Sequence, residues 1–134
     1  MNALRRNAPT AVSVSTAEYK QVTVLFADVV RSMEIAATVD TEQWRAIMID
    51  LVDRVAAVVH HHGGTMDKFT GDGVMALFGA PVALEDHACR ACLAALAIQE
   101  DAKRLALDVQ NRDHVALQLR VGLNSGLVIA GEIG

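Results

Sequence analysis

Two short segments of the sequence each place one carboxylate beside a predicted chain reversal. Asp72 lies in the glycine-containing run 68–73, and Asp28 lies near the end of the apolar run 21–30. Two carboxylates within reach of each other resist joint ionisation unless a cation compensates them, and hard Mg²⁺ or Mn²⁺ suits such oxygen ligands. A pair of these ions can activate an attacking oxygen and neutralise a triphosphate in an in-line displacement. The two aspartates therefore point to nucleotide chemistry assisted by two metal ions.

The first half of the sequence favours a strand followed by a helix. Residues 21–30 are rich in β-branched and other apolar side chains, which is typical of a strand buried on both faces. From Thr41 onward, apolar residues recur at helical spacing. Asp40 or Thr41 can cap the start of this helix, and Gly63-Gly64 can end it.

The second half favours a hairpin, a second helix and a strand that turns back on itself. The Asp-Gly pair at Asp72 is typical of a tight turn between two strands. In chain order, the predicted elements are a hairpin of residues 65–69 and 74–78, a helix over 84–105, a strand over 115–123, and a turn at Asn124-Ser125-Gly126 into an apolar run at 127–130.

This order of elements predicts an α+β fold with a ferredoxin-like, split β-α-β sheet over residues 19–134, preceded by a polar arm or linker at residues 1–18. In that fold the first two strands run in the same direction. The end of the first strand then lies at the same sheet edge as the turn after the second, so we expect Asp28 and Asp72 to converge. A Gly-Asp-Gly triplet alone is more often a plain turn, and the pairing with Asp28 is what favours a metal site.

Composition excludes several other classes of function. The chain has 134 residues, of which 52% are hydrophobic, which is enough for one domain with a sizeable core. Its net charge of -4 argues against binding of nucleic acid or of an anionic membrane surface, because both need a basic face. No stretch approaches the length of a membrane span, and no apolar signal segment follows the N-terminal arginines. We expect a cytoplasmic protein.

Other residues that could bind metal have simpler structural interpretations. Cys89 and Cys92 lie in a helical pattern with no second cysteine pair, which favours buried free thiols over a zinc site. The histidines of His60-His61-His62 point about 100° apart on a helix, so they suit its C-terminus better than a shared ion. Trp44 starts the apolar stripe of the first helix, which favours a core or dimer contact.

Four motifs, in this order, make the sequence resemble the catalytic domain of the class III nucleotidyl cyclases, and more closely the bacterial homodimeric adenylyl cyclases. The motifs are VLFADV at 24–29, DKFTGD at 67–72, EDHA at 85–88 and LRVGLNSG at 119–126. The resemblance runs from about Tyr19 to Gly134. It implies conversion of ATP to 3′,5′-cyclic AMP and pyrophosphate by attack of the ribose 3′-hydroxyl on the α-phosphate. It also implies a homodimer with its active site at the subunit interface.

The resemblance assigns roles to five residues. Asp28, Asp72 and the backbone carbonyl of Val29 would hold two Mg²⁺ or Mn²⁺ ions. Lys68 matches the lysine with which adenylyl cyclases read adenine N1, where guanylyl cyclases have an acidic residue. Arg120 matches the arginine directed at the outer phosphates of the substrate, for which a permanent cation with several donors is suited. A solvated arginine at a strand end is the alternative for Arg120.

Two features depart from the family pattern. Where the family commonly has a glycine-containing turn that cradles the phosphates, this sequence reads Val30-Arg31-Ser32-Met33, and Arg31 could contact the phosphates or point to solvent. The sequence also ends at Gly134, before the C-terminal subdomain in which the resemblance places the residues that stabilise the transition state. We therefore expect little or no turnover from this chain alone, since losing one such donor typically costs about a hundred- to a thousand-fold in rate.

Two alternative functions stay open. One is a non-catalytic, cyclase-like regulatory or dimerisation module, which the altered turn and the absent C-terminal segment favour and which Asp28, Asp72 and Lys68 oppose. The other is a guanylyl-type or other two-metal cyclase with the same topology, which Lys68 and the EDHA motif disfavour.

Overall fold

Seven elements of secondary structure make up the fold, seen here in a computed structural model that describes residues 18–130. In chain order they are β1 (Glu18–Val29), α1 (Ser32–Thr38), α2 (Thr41–His61), β2 (Thr65–Phe69), β3 (Gly73–Phe78), α3 (His87–Asp113) and β4 (Leu119–Ala130). Apart from Glu18, the predicted arm at residues 1–18 lies outside the described residues. Within residues 18–130, no helix combines the length and the apolar character of a membrane span.

The four strands form one antiparallel sheet in the order β2-β3-β1-β4. β1 and β2 both pair antiparallel with β3, so they run in the same direction, as the predicted split β-α-β arrangement requires. α2 contacts β2 and β3, and α3 contacts β1 and β4. Their buried side chains join those of the sheet in one apolar core, so the α+β prediction is confirmed.

The side chains of β1 alternate between two different environments. Leu25, Ala27 and Val29 face the helices and are nearly fully buried, whereas Phe26 is 44% exposed. We call the side of the sheet that carries Phe26 and Asp28 the open face. The expectation of a strand buried on both faces was wrong for residues 25–29, because the helices of residues 18–130 pack against the other side, but at the start of the strand Val22 and Thr23 are both buried.

The first predicted helix has the ends that its sequence indicates. Asp40 accepts a hydrogen bond from the backbone N–H of Gln43 (2.8 Å), and the Gln43 side chain accepts one from the backbone N–H of Asp40 (3.0 Å), which forms a capping box. At the other end the chain leaves α2 through Gly63, whose φ of 85° suits glycine best. Trp44 is partly buried and packs against the core.

One helix was not predicted and another is longer than predicted. α1 was missed, because seven residues are too few to show a helical period. α3 begins at His87 and extends to Asp113, well beyond the predicted end near residue 105. Its buried stripe is Ala91, Ala94, Ile98, Leu105 and Val109, so small residues let the helix lie close to the sheet.

The predicted turn at Asn124-Ser125-Gly126 is wrong. β4 continues through these residues to Ala130, and Ser125 lies opposite Thr23 of β1. The Ser125 and Thr23 hydroxyls are 2.6 Å apart, and Thr23 also contacts Nδ1 of His87 at 2.8 Å. Pairing with β1 therefore overrides the local turn signal, and it satisfies a buried threonine in the process. Residues 115–118, predicted as strand, precede β4.

The prediction of buried cysteines is also wrong. Cys89 and Cys92 are both exposed, as are Leu93 and Leu96 on the same side of α3. Helical spacing showed that these residues share a face. It did not show that the alanine face of α3, rather than this one, packs on the sheet.

Candidate active site

Asp28 lies at the end of β1, where three strands meet. It is directly opposite Gly73 of β3 on one side and Arg120 of β4 on the other. Its side chain is 41% exposed and points to the open face. Arg120, its partner on β4, lies on the same face, because directly opposite residues of paired strands share a face. The buried residues on either side of it, Ala27 and Val29, fix this orientation because strand side chains alternate.

Asp72 is brought to the same edge by the tight turn between β2 and β3. The backbone N–H of Thr70 donates to the carbonyl of Gly73 (2.9 Å), which closes the turn. The backbone N–H of Val29 then donates to the carbonyl of Asp72 (2.9 Å) and ties the turn to the end of β1. Asp28 and Asp72 therefore converge, as the sequence predicts, because Val29, the residue after Asp28, is hydrogen-bonded to the backbone of Asp72.

Gly73 makes this close approach possible. A Cβ atom at this position would lie 2.5 Å from the carbonyl oxygen of Ala27 and 2.8 Å from the Cβ of Asp28. Any side chain here would push the turn away from β1. At Gly71, in the same turn, a Cβ would meet nothing within 4 Å. Only one of these two glycines is therefore required by packing.

Two hydroxyl groups orient the Asp72 carboxylate. Ser32 Oγ donates to Asp72 Oδ2 (2.9 Å), and Thr70 Oγ1 donates to Asp72 Oδ1 (3.1 Å). Ser32 is the first residue of α1, so this bond also connects that helix to the turn. Sequence reasoning missed both residues. The available signal was a hydroxyl side chain two positions before Asp72 and another three positions after the VLFADV motif.

Arg120 occupies the position beside Asp28. Its Nε lies 3.2 Å from Asp28 Oδ1, and its side chain is 69% exposed. The guanidinium is exposed, as a solvated strand-end arginine would be, and it is also paired with Asp28, a candidate metal ligand. A role at the outer phosphates stays a prediction.

Lys68 lies on the open face because β2 contains a bulge. The register shifts between Met66 and Lys68, so Asp67 is the extra residue and Lys68 pairs with Met75. Met75 pairs in turn with Phe26, which places Lys68 two strands away from β1 on the face that carries Asp28. Without the bulge, Lys68 would face the helices.

The donor set fits a hard divalent ion. It contains two carboxylates, from Asp28 and Asp72, and the carbonyl of Val29 points to the same side as its N–H, toward the turn that carries Asp72. Among residues 18–130, no cluster of three or more His, Cys, Asp or Glu side chains could hold a metal. Two carboxylates completed by water and substrate oxygens are typical of magnesium sites for phosphate chemistry, so the residues present fit such an ion.

Arg31 adopts the conformation that a glycine would normally supply. Its φ is 55° and its ψ 42°, in the left-handed region, at the position where the family resemblance predicts a glycine-containing turn. Arg31 precedes α1, and its side chain makes no cap to that helix. The turn therefore has a residue in the left-handed conformation, as a glycine-containing turn commonly does, but this residue carries an arginine side chain.

Comparisons with known proteins agree with this geometry. The family described as "Adenylate and Guanylate cyclase catalytic domain" matches residues 14–134. Adenylate cyclase 1 of Rhizobium meliloti is 30% identical over 115 residues, covering 86% of this chain and 17% of the relative. Guanylate cyclase soluble subunit beta-2 of Rattus norvegicus is 30% identical over 121 residues, with 90% and 17% coverage.

Solved structures show the same fold. The guanylyl cyclase Cya2 has a TM-score of 0.83 and 29% identity, with 89% of this chain and 60% of that chain covered. The adenylyl cyclase CyaB from P. aeruginosa has a TM-score of 0.83 and 26% identity, with 88% and 62% covered. The chain thus spans under a fifth of those two curated relatives and about three fifths of these solved chains. Its core belongs to the family of adenylate and guanylate cyclase catalytic domains.

Proposed function

We propose that this chain is part of an adenylyl cyclase that converts ATP to 3′,5′-cyclic AMP and pyrophosphate. The observation that supports this most is the meeting of Asp28 and Asp72 at one sheet edge, with Arg120 beside them and Lys68 on the same face. Asp28, Asp72 and the Val29 carbonyl would hold two Mg²⁺ or Mn²⁺ ions. When bound, such ions activate the ribose 3′-hydroxyl and neutralise the triphosphate.

The residues of this chain would bind and orient the substrate around that chemistry. The Arg120 guanidinium, a permanent cation with a planar set of donors, would contact the outer phosphates. Ser32 and Thr70 hold both oxygens of Asp72 in place, so this carboxylate is oriented before substrate arrives. The transition-state residues that the family resemblance implies are not among residues 1–134, so we expect very low turnover from this chain by itself.

Lys68 is the residue on which the choice of ATP depends. Its ammonium only donates hydrogen bonds, which suits N1 of adenine, an acceptor, and not N1 of guanine, a donor. Relatives of this chain include both adenylyl and guanylyl cyclases, so the identity of this one residue carries the proposal of ATP.

A second copy of the chain is the partner that we propose for the site. Exposed apolar residues are neighbours in the chain of the residues that form the site. Phe26 (44% exposed) lies two residues before Asp28 on the open face, and Met33 (85%) follows Ser32, which contacts Asp72. Exposed apolar surface rimmed by polar residues is typical of an interface. A homodimer would cover it and place the nucleotide between the two subunits.

The test of substrate choice is metal-dependent binding of ATP and GTP by calorimetry in Mn²⁺. We expect ATP to bind more tightly than GTP, and Lys68→Glu to reduce the preference for ATP by about ten-fold or more, because a charge-assisted hydrogen bond is lost and an acceptor is introduced. Lys103→Glu, on the exposed side of α3, changes the net charge equally and should leave the preference unchanged. Equal binding of GTP, or an unchanged preference in Lys68→Glu, would overturn the ATP assignment.

A non-catalytic dimerisation module is the second candidate, and Arg31 is the observation in its favour. A side chain of this size stands where the family turn would present glycine to the phosphates. Such a module would self-associate in sedimentation experiments without binding Mn²⁺-ATP. A cyclase with an intact substrate half would bind Mn²⁺-ATP and lose that binding in Asp72→Ala.

A further inference from the structure

We propose that Arg120 competes with divalent metal for Asp28, so that the site binds free ions weakly until a polyphosphate draws the arginine away. The inference rests on the proposed function, because it takes Asp28 and Asp72 as the metal ligands. It gives Arg120 a second role besides contacting phosphate, namely coupling the binding of metal to the binding of substrate.

The two carboxylates have different partners. Asp28 accepts from the Arg120 guanidinium at 3.2 Å, across the β1–β4 ladder in which the two residues are directly opposite. In residues 18–130, the hydrogen bonds to the Asp72 carboxylate come from the neutral hydroxyls of Ser32 and Thr70. Asp28 therefore has a cationic partner, whereas the contacts of the Asp72 carboxylate in residues 18–130 are with neutral groups.

The pairing lowers the attraction of the site for a free ion. Two carboxylates alone carry a charge of -2, and the guanidinium reduces it to -1. A divalent ion that binds Asp28 must either displace this guanidinium or lie close to it. The two cations repel each other. Both side chains are substantially exposed, so the pair is weak and can exchange. Arg120 would thus compete with a metal ion for Asp28 without preventing the ion from binding.

A polyphosphate changes this balance. Its outer phosphates offer Arg120 two strong, parallel hydrogen bonds, a better partner than the single contact with Asp28. Once the guanidinium moves to the phosphates, Asp28 is released to the metal. Metal and polyphosphate therefore bind with positive coupling through one side chain, and by linkage each raises the affinity of the other equally.

The test measures Mn²⁺ affinity by electron paramagnetic resonance, with and without inorganic tripolyphosphate. Without tripolyphosphate, Arg120→Gln should bind Mn²⁺ about two- to five-fold more tightly than the natural chain, which is the range expected from an exposed ion pair. With tripolyphosphate, the order reverses, and Arg120→Gln should bind the Mn²⁺-tripolyphosphate complex about ten-fold more weakly. Raising the ionic strength should narrow the difference in free Mn²⁺ affinity, because salt screens exposed pairs.

Arg31→Gln is the matched control, because it removes an arginine from the same edge of the protein without removing a contact to Asp28. An equal gain in Mn²⁺ affinity from Arg31→Gln would show a general charge effect and overturn the inference. Unchanged or weaker Mn²⁺ binding by folded Arg120→Gln, checked by circular dichroism, would overturn it as well.

Asp28→Asn separates the inference from the proposed function. If Asp28→Asn binds Mn²⁺ as well as the natural chain does, the proposed metal site is wrong whatever Arg120 does. If Asp28→Asn loses Mn²⁺ while Arg120→Gln shows no gain, the metal site stands and only the competition is refuted.

Discussion

The two faces of β1 are held by different kinds of interaction. On the face under the helices, Leu25, Ala27 and Val29 are at most 2% exposed and belong to the apolar core. On the open face, Asp28 is 41% exposed and contacts one guanidinium. The apolar face thus determines the register that brings the carboxylates together. The open face leaves them with few partners, which they can exchange for a ligand.

The largest expected effect on stability comes from a substitution on the buried face of β1. Leu25→Ala should lower the free energy of unfolding by about 2–5 kcal/mol, because it removes a fully buried side chain and leaves a cavity. Phe26→Ala, one residue further on the open face, should cost about 1 kcal/mol or less at a protein concentration low enough to keep the chain monomeric. Urea denaturation of both variants measures the difference. Similar losses would mean that the open face is covered in the folded protein.

The next effect is expected where the two regions meet, at Gly73. Gly73→Ala should lower the free energy of unfolding by about 1–3 kcal/mol, because its Cβ would clash with the backbone of Ala27 and with Asp28. It should also weaken Mn²⁺ binding, since the turn must move away from β1. Gly71→Ala has free space around its Cβ and should leave Mn²⁺ binding unchanged. Equal losses of Mn²⁺ affinity in the two variants would argue against a special requirement for glycine at position 73, where the turn approaches β1.

A smaller effect is expected at an exposed ion pair that lies away from the carboxylates. Arg90 Nε donates to Asp86 Oδ1 at 2.8 Å at the start of α3, and this hydrogen bond lowers the pKa of the exposed Asp86. The contribution to stability is therefore complete above the ordinary Asp pKa of 3.8 and is lost as the pH falls through the lower value in the folded protein. The difference in melting temperature between the natural chain and Arg90→Gln should be small at pH 7 and disappear in strong acid. A difference that persists in acid would assign the effect of Arg90 to its hydrogen bond with the His62 carbonyl instead.

Much of the fold could be predicted from short sequence patterns whose local structure is retained in the folded protein. The capping box at Asp40, the glycine after α2 and the Asp-Gly turn at Asp72 are local, and each is found where the sequence predicts it. The convergence of Asp28 and Asp72 followed from topology, because the direction of the first two strands fixes which ends meet.

The remaining features depend on long-range pairing that a sequence pattern does not contain. The Asn124-Ser125-Gly126 segment has a turn composition, yet it stays in β4 because β1 lies alongside it. The bulge at Asp67 places Lys68 on the open face, and no residue type in the strand predicts it. The contact between Arg120 and Asp28 likewise depends on β1–β4 register, which joins residues distant in sequence.

The most direct test of the metal site is Mn²⁺-dependent binding of ATP by calorimetry, comparing the natural chain with Asp72→Ala and Asp67→Ala. Both variants remove one carboxylate from the same hairpin, but only Asp72 lies beside the end of β1. We predict that ATP binding is lost in Asp72→Ala and kept in Asp67→Ala. Equal binding by all three proteins, or equal loss in both variants, would contradict a site built on Asp28 and Asp72.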